Sequence, residues 1–183
     1  MDTALDIRAQ IDADMHLQTE INHALSAVAD GLKAGSDGRV VRILVRTLEA
    51  SWREHVGFQT DVIFPILEAR YGDDVCGTIA RLRIDHASLS QRHGEVGRGL
   101  AVILESPPDD DGALERLLRV TIAQRRTHFH RDAELDRWIP ETFTRLECGL
   151  CQRWAAARQS TRFPLNLLRS PERPYPRLGG RMN

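Results

Sequence analysis

The stretch "HVGFQTDVIFP", residues 55–65, sets a histidine four residues before a glutamine and ten before a proline. "HRDAELDRWIP", residues 130–140, repeats that frame 75 residues later with glutamate where the first copy has glutamine. On a helix, residues i and i+4 lie one turn apart on the same face, so His130 and Glu134 can reach one cation or two adjacent ones. An imidazole nitrogen beside a carboxylate suits iron, manganese or zinc, and a carboxylate can bridge two metals. A single His-x-x-x-Glu is a weak signal, and its weight here comes from the repetition.

The elements that must position these groups read as helices nearly throughout. Ile7, Ile11, Leu17, Ile21, Leu25, Val28 and Leu32 recur at helical spacing and mark a first helix, broken by "KAGSDGR". Val41, Leu44, Val45, Leu48, Trp52, Phe58 and Val62 continue one stripe along a second helix that ends at "RYGDD". Val75, Ile79, Leu82, Leu89, Val96 and Leu100 mark a third, which stops at "ESPPDDDG". Leu114, Leu117, Leu118, Thr121 and Leu135 carry a fourth toward Pro140, and "ETFTRLECGLCQRWAAAR" resumes helically beyond it. No segment alternates like a strand. Four long helices on short loops predict an all-α fold, an antiparallel up-down-up-down four-helix bundle over residues 1–158. Residues 159–183 are rich in Pro and Arg and read as a C-terminal tail.

On this frame the histidines point inward. At about 100° per residue, His55 falls in the middle of the second helix's apolar stripe. His86 falls on the stripe of Ile79, Leu82 and Leu89, with His93 two turns further along. A buried imidazole without a partner costs roughly 1–3 kcal/mol. Two on different helices favour a shared metal, because bundle cores build such sites from inward side chains of several helices.

The doubled pattern resembles the hemerythrin-like, or HHE cation-binding, family over roughly residues 12–142. That resemblance implies a non-haem di-iron centre in which a lone histidine on the first helix of each pair joins the motif on the second. It assigns His16 and His55 to one pair, and His86, His130 and Glu134 to the other. The interval from lone to motif histidine is 39 residues in the first pair and 44 in the second, consistent with a duplicated unit. Gln59 departs from the family pattern, standing where a bridging glutamate is expected. A neutral amide oxygen is a poorer ligand for a hard cation and neutralises no charge. Asp61 cannot replace it, being about 200° round the helix from the slot.

Three states of the site follow: a di-iron centre with one carboxylate bridge, one metal near His86, His130 and Glu134, or no metal. His16 and His23 share a stripe with Glu20 about 150° from the first helix's apolar residues, the geometry of a solvated face. If that stripe faces the centre instead, Glu20 offers the carboxylate that Gln59 lacks. His128, with Asp132 four residues later, lies nearer the fourth helix's stripe than His130 does. His130 is retained because its offset to Pro140 equals that of His55 to Pro65. His93 reads as a core histidine or a support to the ligands.

A metal centre of this kind implies a small ligand such as O₂, NO or peroxide, bound or sensed at iron. An oxidase-like or peroxide-consuming enzyme is a second reading, with Tyr71 as a candidate proton donor. A metal-free interaction module that uses its tail is a third. The net charge of −1 gives no reason to expect nucleic acid or an anionic membrane as partner. The opening residues lack the basic start and apolar run of a signal peptide, so the chain is expected in the cytoplasm. Cys76, Cys148 and Cys151 suggest no disulfide framework, and the lone CxxC lacks the second ligand pair of a zinc site.

Overall fold

A computed structural model of the chain describes residues 7–32, 36–105 and 112–157. Its regular elements are all helical: α1 (Ile7–Gly31), α2 (Gly38–Phe58), a π-helical segment (Gln59–Ile63), α3 (Phe64–Tyr71), α4 (Asp73–Glu105), α5 (Gly112–Leu135) and α6 (Arg145–Ala156). No strand occurs among the described residues. The expected breaks at "KAGSDGR" and "ESPPDDDG" fall partly, and the tail at 159–183 wholly, outside them. None of the helices described is long and apolar enough to cross a membrane.

Local chemistry sets the boundaries. Asp37 caps α2, its carboxylate accepting from the Arg39 backbone N–H at 2.8 Å. Pro65 has no N–H to give the Asp61 carbonyl, and its ring crowds that group. The chain answers with a π turn, in which the Phe64 N–H reaches back to the Gln59 carbonyl. The helix expected to bend or end near "IFP" therefore runs on as α3. It stops at Gly72, whose φ of 52° suits glycine. Thr144 and Glu147 form a reciprocal capping box that starts α6.

The long helices make a closed set of neighbours: α1 packs on α2 and α5, and α4 packs on α2 and α5. The four expected helices are joined by a further one, α6, which lies against the π segment. Two separate apolar clusters fill the interior. One gathers Phe58, Phe64, Leu67, Ile79, Leu82 and Leu135. The other gathers Leu25, Leu44, Leu48, Val96, Leu100 and Leu118. Between them in every long helix lies a run of buried polar side chains.

Candidate metal centre

The polar run occupies slots of the same stripes that carry the core. In α1 the positions 7, 11, 14, 18, 21, 25 and 28 advance by fours and threes, and Asp14 and Gln18 fill the two slots between Ile11 and Ile21. In α5 the buried residues Leu118, Thr121, Arg125, His128, Asp132 and Leu135 advance by threes and fours. In α4 the same rhythm brings in His86 and His93, and in α2 it brings in His55 and then Gln59. This spacing keeps a helix's side chains on one seam, so the polar groups of four helices meet at one level.

At that level His55 Nε2 and His128 Nε2 stand 3.0 Å apart. His86 completes a group of three buried imidazoles that can each offer a nitrogen within 4.8 Å of the others. Asp132 Oδ2 stands 3.4 Å from His55 Nε2 and 3.3 Å from His128 Nε2. Gln59 Nε2 donates to Asp132 Oδ1 at 2.9 Å, which orients the carboxylate. Behind the imidazoles stand further acids. Asp14 Oδ2 accepts from His55 Nδ1 at 2.6 Å, fixing the tautomer that turns Nε2 inward. Asp85 Oδ2 lies 3.6 Å from His128 Nδ1, and Arg131 holds Asp85 with contacts of 2.6 and 2.7 Å.

Four buried atoms that could ligate a metal make no well-formed hydrogen bond: His86 Nε2, His128 Nδ1, Asp132 Oδ2 and Gln59 Oε1, of which His128 Nδ1 and Asp132 Oδ2 have only the longer ion-pair contacts above. Burial of such groups is costly, so their convergence calls for something that satisfies them. The electrostatics point the same way. Burial lowers the His86 imidazole to about 3, with help from His128 and His55, which leaves it neutral and able to ligate. Burial also pulls on His55, but the Asp14 carboxylate and then Asp132 raise it above the ordinary imidazole value. Asp132 is pushed up by burial and brought below its usual range by His128, His55 and Gln59. A cavity of about 80 Å³ reaches the Gln59 and Asp132 edge of the cluster, walled by Ile11, Met15, Phe58 and Ile63 among others.

Trp52 roofs the cluster. Its ring stacks on His55 at 4.9 Å between centroids and meets His128 edge-on at 5.1 Å and His93 at 4.8 Å. Its indole N–H donates to Ser90 Oγ at 3.0 Å, and Ser90 in turn donates to the His86 carbonyl. Arg125 also lies against Trp52, fully buried, its guanidinium carbon 5.8 Å from the ring centroid. Its guanidinium donates to Asn22 Oδ1, to His93 Nε2 at 2.9 Å, to Gln18 Oε1 at 2.9 Å and to the Gln18 carbonyl at 3.2 Å.

The structure brings together His55 and His86 of the expected residues, and sets the others elsewhere. His130 is exposed and Glu134 half-buried, apart from the cluster. Their places are taken by His128 and Asp132, because 128 and 132 follow Arg125 at spacings of three and seven and 130 does not. His16 is exposed, as is His23, and Glu20 is half-buried. The inward face of α1 is that of Asp14 and Gln18, two residues away from His16 in either direction. His93 faces Arg125 rather than the imidazole cluster. Tyr71 packs against Trp138 in the first apolar cluster. Cys151 is buried in that same cluster, and Cys148 is half-buried beside it on α6. Asp14 and Arg125 were not anticipated. Their signal was a polar residue in a slot that the stripe reserves for core.

Comparison of the chain with protein-family models, with curated proteins and with solved structures finds no match.

Proposed function

We propose that this chain is a hemerythrin-like, non-haem iron-binding protein that binds or senses O₂, NO or a reactive oxygen species in its core. The observation that carries the reading is the buried meeting of three imidazoles and the Asp132 carboxylate, with His86 Nε2 and Gln59 Oε1 left without a hydrogen bond among them. The closed set of neighbours α1, α2, α4 and α5 on short connections supports an antiparallel up-down-up-down bundle around that level.

The donor set fits one ion better than two. His55, His86, His128 and Asp132 supply three nitrogens and one oxygen, a set suited to iron, manganese or zinc. Gln59 Oε1 adds a neutral oxygen. The paired bridging glutamates that the resemblance implies are absent from the cluster, since Gln59 fills one place and Glu134 lies outside. We therefore assign the ligands as His55, His86, His128 and Asp132, in place of a set with His16, His130 and Glu134.

A ferrous ion held by these residues would supply one-electron chemistry toward a small ligand. The chain's own groups shape that site. Asp14 keeps the His55 proton on Nδ1, and Gln59 keeps Asp132 turned toward the imidazoles. Apolar rings pack on the cluster, Trp52 against His55 and His128 and Phe64 on His86 at 5.9 Å. The apolar cavity at the Gln59 edge gives a small uncharged molecule a way in.

The deciding experiment is metal analysis of protein purified without oxygen or chelator, followed by its absorption spectrum in air. About one iron per chain, with new charge-transfer bands on exposure, is the expected result. No bound metal after anaerobic reconstitution with ferrous iron would overturn the reading.

A further inference from the structure

We propose that Arg125 is a built-in counter-cation that limits the cluster to a single metal ion and weakens its hold on that ion. The inference rests on the metal-binding reading above and concerns a residue that does not ligate.

Burial pulls the Arg125 guanidinium down to about 9, so it keeps its charge at neutral pH, and burying that charge without a carboxylate is costly. Arg125 is 0% exposed, and all its contacts are to neutral partners: the Asn22 amide, the Gln18 amide and backbone, and the His93 imidazole. The faces of Trp52 and Phe129 complete the cage, with the guanidinium carbon 5.8 and 5.2 Å from the ring centroids. Among the described residues no carboxylate forms an ion pair with it. The nearest acid in hydrogen-bond order is Asp14, reached through Gln18, whose Nε2 donates to Asp14 Oδ1 at 3.4 Å. Asp14 is the same carboxylate that accepts from His55.

The charge balance of the interior follows. Asp14 and Asp132 bring two negative charges, and Arg125 cancels one. Asp85 is already matched by Arg131. With His55 neutral and one divalent ion bound this interior stands at +1, and a second ion would take it to +3. A purely structural arginine would be as well served by a partner acid. The cage instead leaves the charge without a directly paired carboxylate, about two turns of helix or fewer from His128 and Asp132. His93 is occupied as acceptor for Arg125 Nη1 and so has no free Nε2 lone pair for an ion.

Two substitutions remove the charge by independent routes. Arg125→Gln deletes it. Asn22→Asp keeps Arg125 and its cage but sets a carboxylate on the guanidinium at the position that already accepts from Nε. Each is titrated anaerobically with ferrous iron and, as a redox-inert probe, with Mn²⁺, reading stoichiometry and affinity by calorimetry and metal analysis. The wild type is expected to bind one equivalent. Both variants are expected to bind it about tenfold more tightly or better, because a unit charge acting on a divalent ion through protein is strong at this range. Arg125→Lys is expected to stay close to wild type. Wild-type uptake of two ions, or one-ion binding that is no tighter in Asn22→Asp, would overturn the proposal while leaving the metal site intact. Failure of wild type and variants alike to bind either ion would overturn both. Thermal unfolding of Asn22→Asp verifies its fold, so the test stands if Arg125→Gln fails to fold.

Discussion

Between His55 Nε2 and His128 Nε2, 3.0 Å apart, there is room for one proton or for one shared cation. Without either, two lone pairs would face each other inside the bundle. Asp14 and Asp132 raise the proton affinity of His55, so a proton is the natural occupant when no metal is present. Metal uptake must then expel it, and affinity should fall as pH drops through the raised His55 value. The ligand assignment is checked one side chain at a time. His128→Ala should cost at least about tenfold in metal affinity, whereas His130→Ala, on an exposed face, should leave metal content unchanged. Equal loss in both variants would restore the motif reading. His55 and His86 were legible from the sequence because each falls on an unbroken apolar stripe. His130 misled because its offset to Pro140 copies that of His55 to Pro65. Those prolines are not equivalent: Pro65 lies inside a continuous helical run across the π turn, whereas Pro140 lies five residues past the end of α5. Offsets counted across an irregular stretch do not preserve helical phase.

At the scale of elements, the helices were legible from the spacing of apolar residues and the placing of Gly, Asp and Pro. The sequence also marked the resumption after Pro140 that becomes α6. What periodicity could not show was the inward face of α1. Reading apolar residues alone, the stripe passes through Leu17 and puts His16, Glu20 and His23 on a polar face about 150° away, and His16 and His23 are indeed exposed. Counting Asp14 and Gln18 as core positions restores a regular advance and shows which polar groups of α1 face the centre. The end of α3 offers a test of local chemistry. Gly72 has φ of 52°, and nothing lies within 4 Å of where a Cβ would stand, so Gly72→Ala meets no clash and suffers the backbone strain alone. Destabilisation of about 1–3 kcal/mol is expected, a fall of at least about 2 °C in Tm for a chain of this size. An unchanged Tm would show that the turn from α3 to α4 relaxes freely.

For the whole molecule, the interior level of polar groups makes stability depend on acid. His86 and His93 are held neutral in the fold, lowered to about 3 and about 2, His93 by burial and then by Arg125. In the unfolded chain both titrate near 6.5, so below that pH the unfolded state binds two more protons than the folded one. Stability of the metal-free protein should therefore fall as pH drops from about 6.5 toward 3, by up to about 1.4 kcal/mol per pH unit for each imidazole. His55 acts in the opposite sense. Its raised value adds stability that is present below about 6.5 and lost as pH rises through its folded value. Asp132, lowered in the fold, adds stability above about 3.8 that is lost in stronger acid. The net expectation is a maximum near neutrality with a steep acid limb, read by urea midpoints at successive pH values. His86→Leu should flatten that limb. A limb that stays as steep would mean that His86 is solvated.

Trp52 gives all of this a colour. Its indole is 2% exposed and touches four imidazoles, while Trp138 and Trp154 are half-buried in or beside the other cluster. Its emission should therefore lie to the blue of theirs. A positively charged imidazolium or a redox-active ion at van der Waals range drains an excited indole, so that blue component alone should dim when the cluster is protonated or filled. The protein thus carries its own lamp inside the site, and occupancy can be followed by light without attaching anything to the chain.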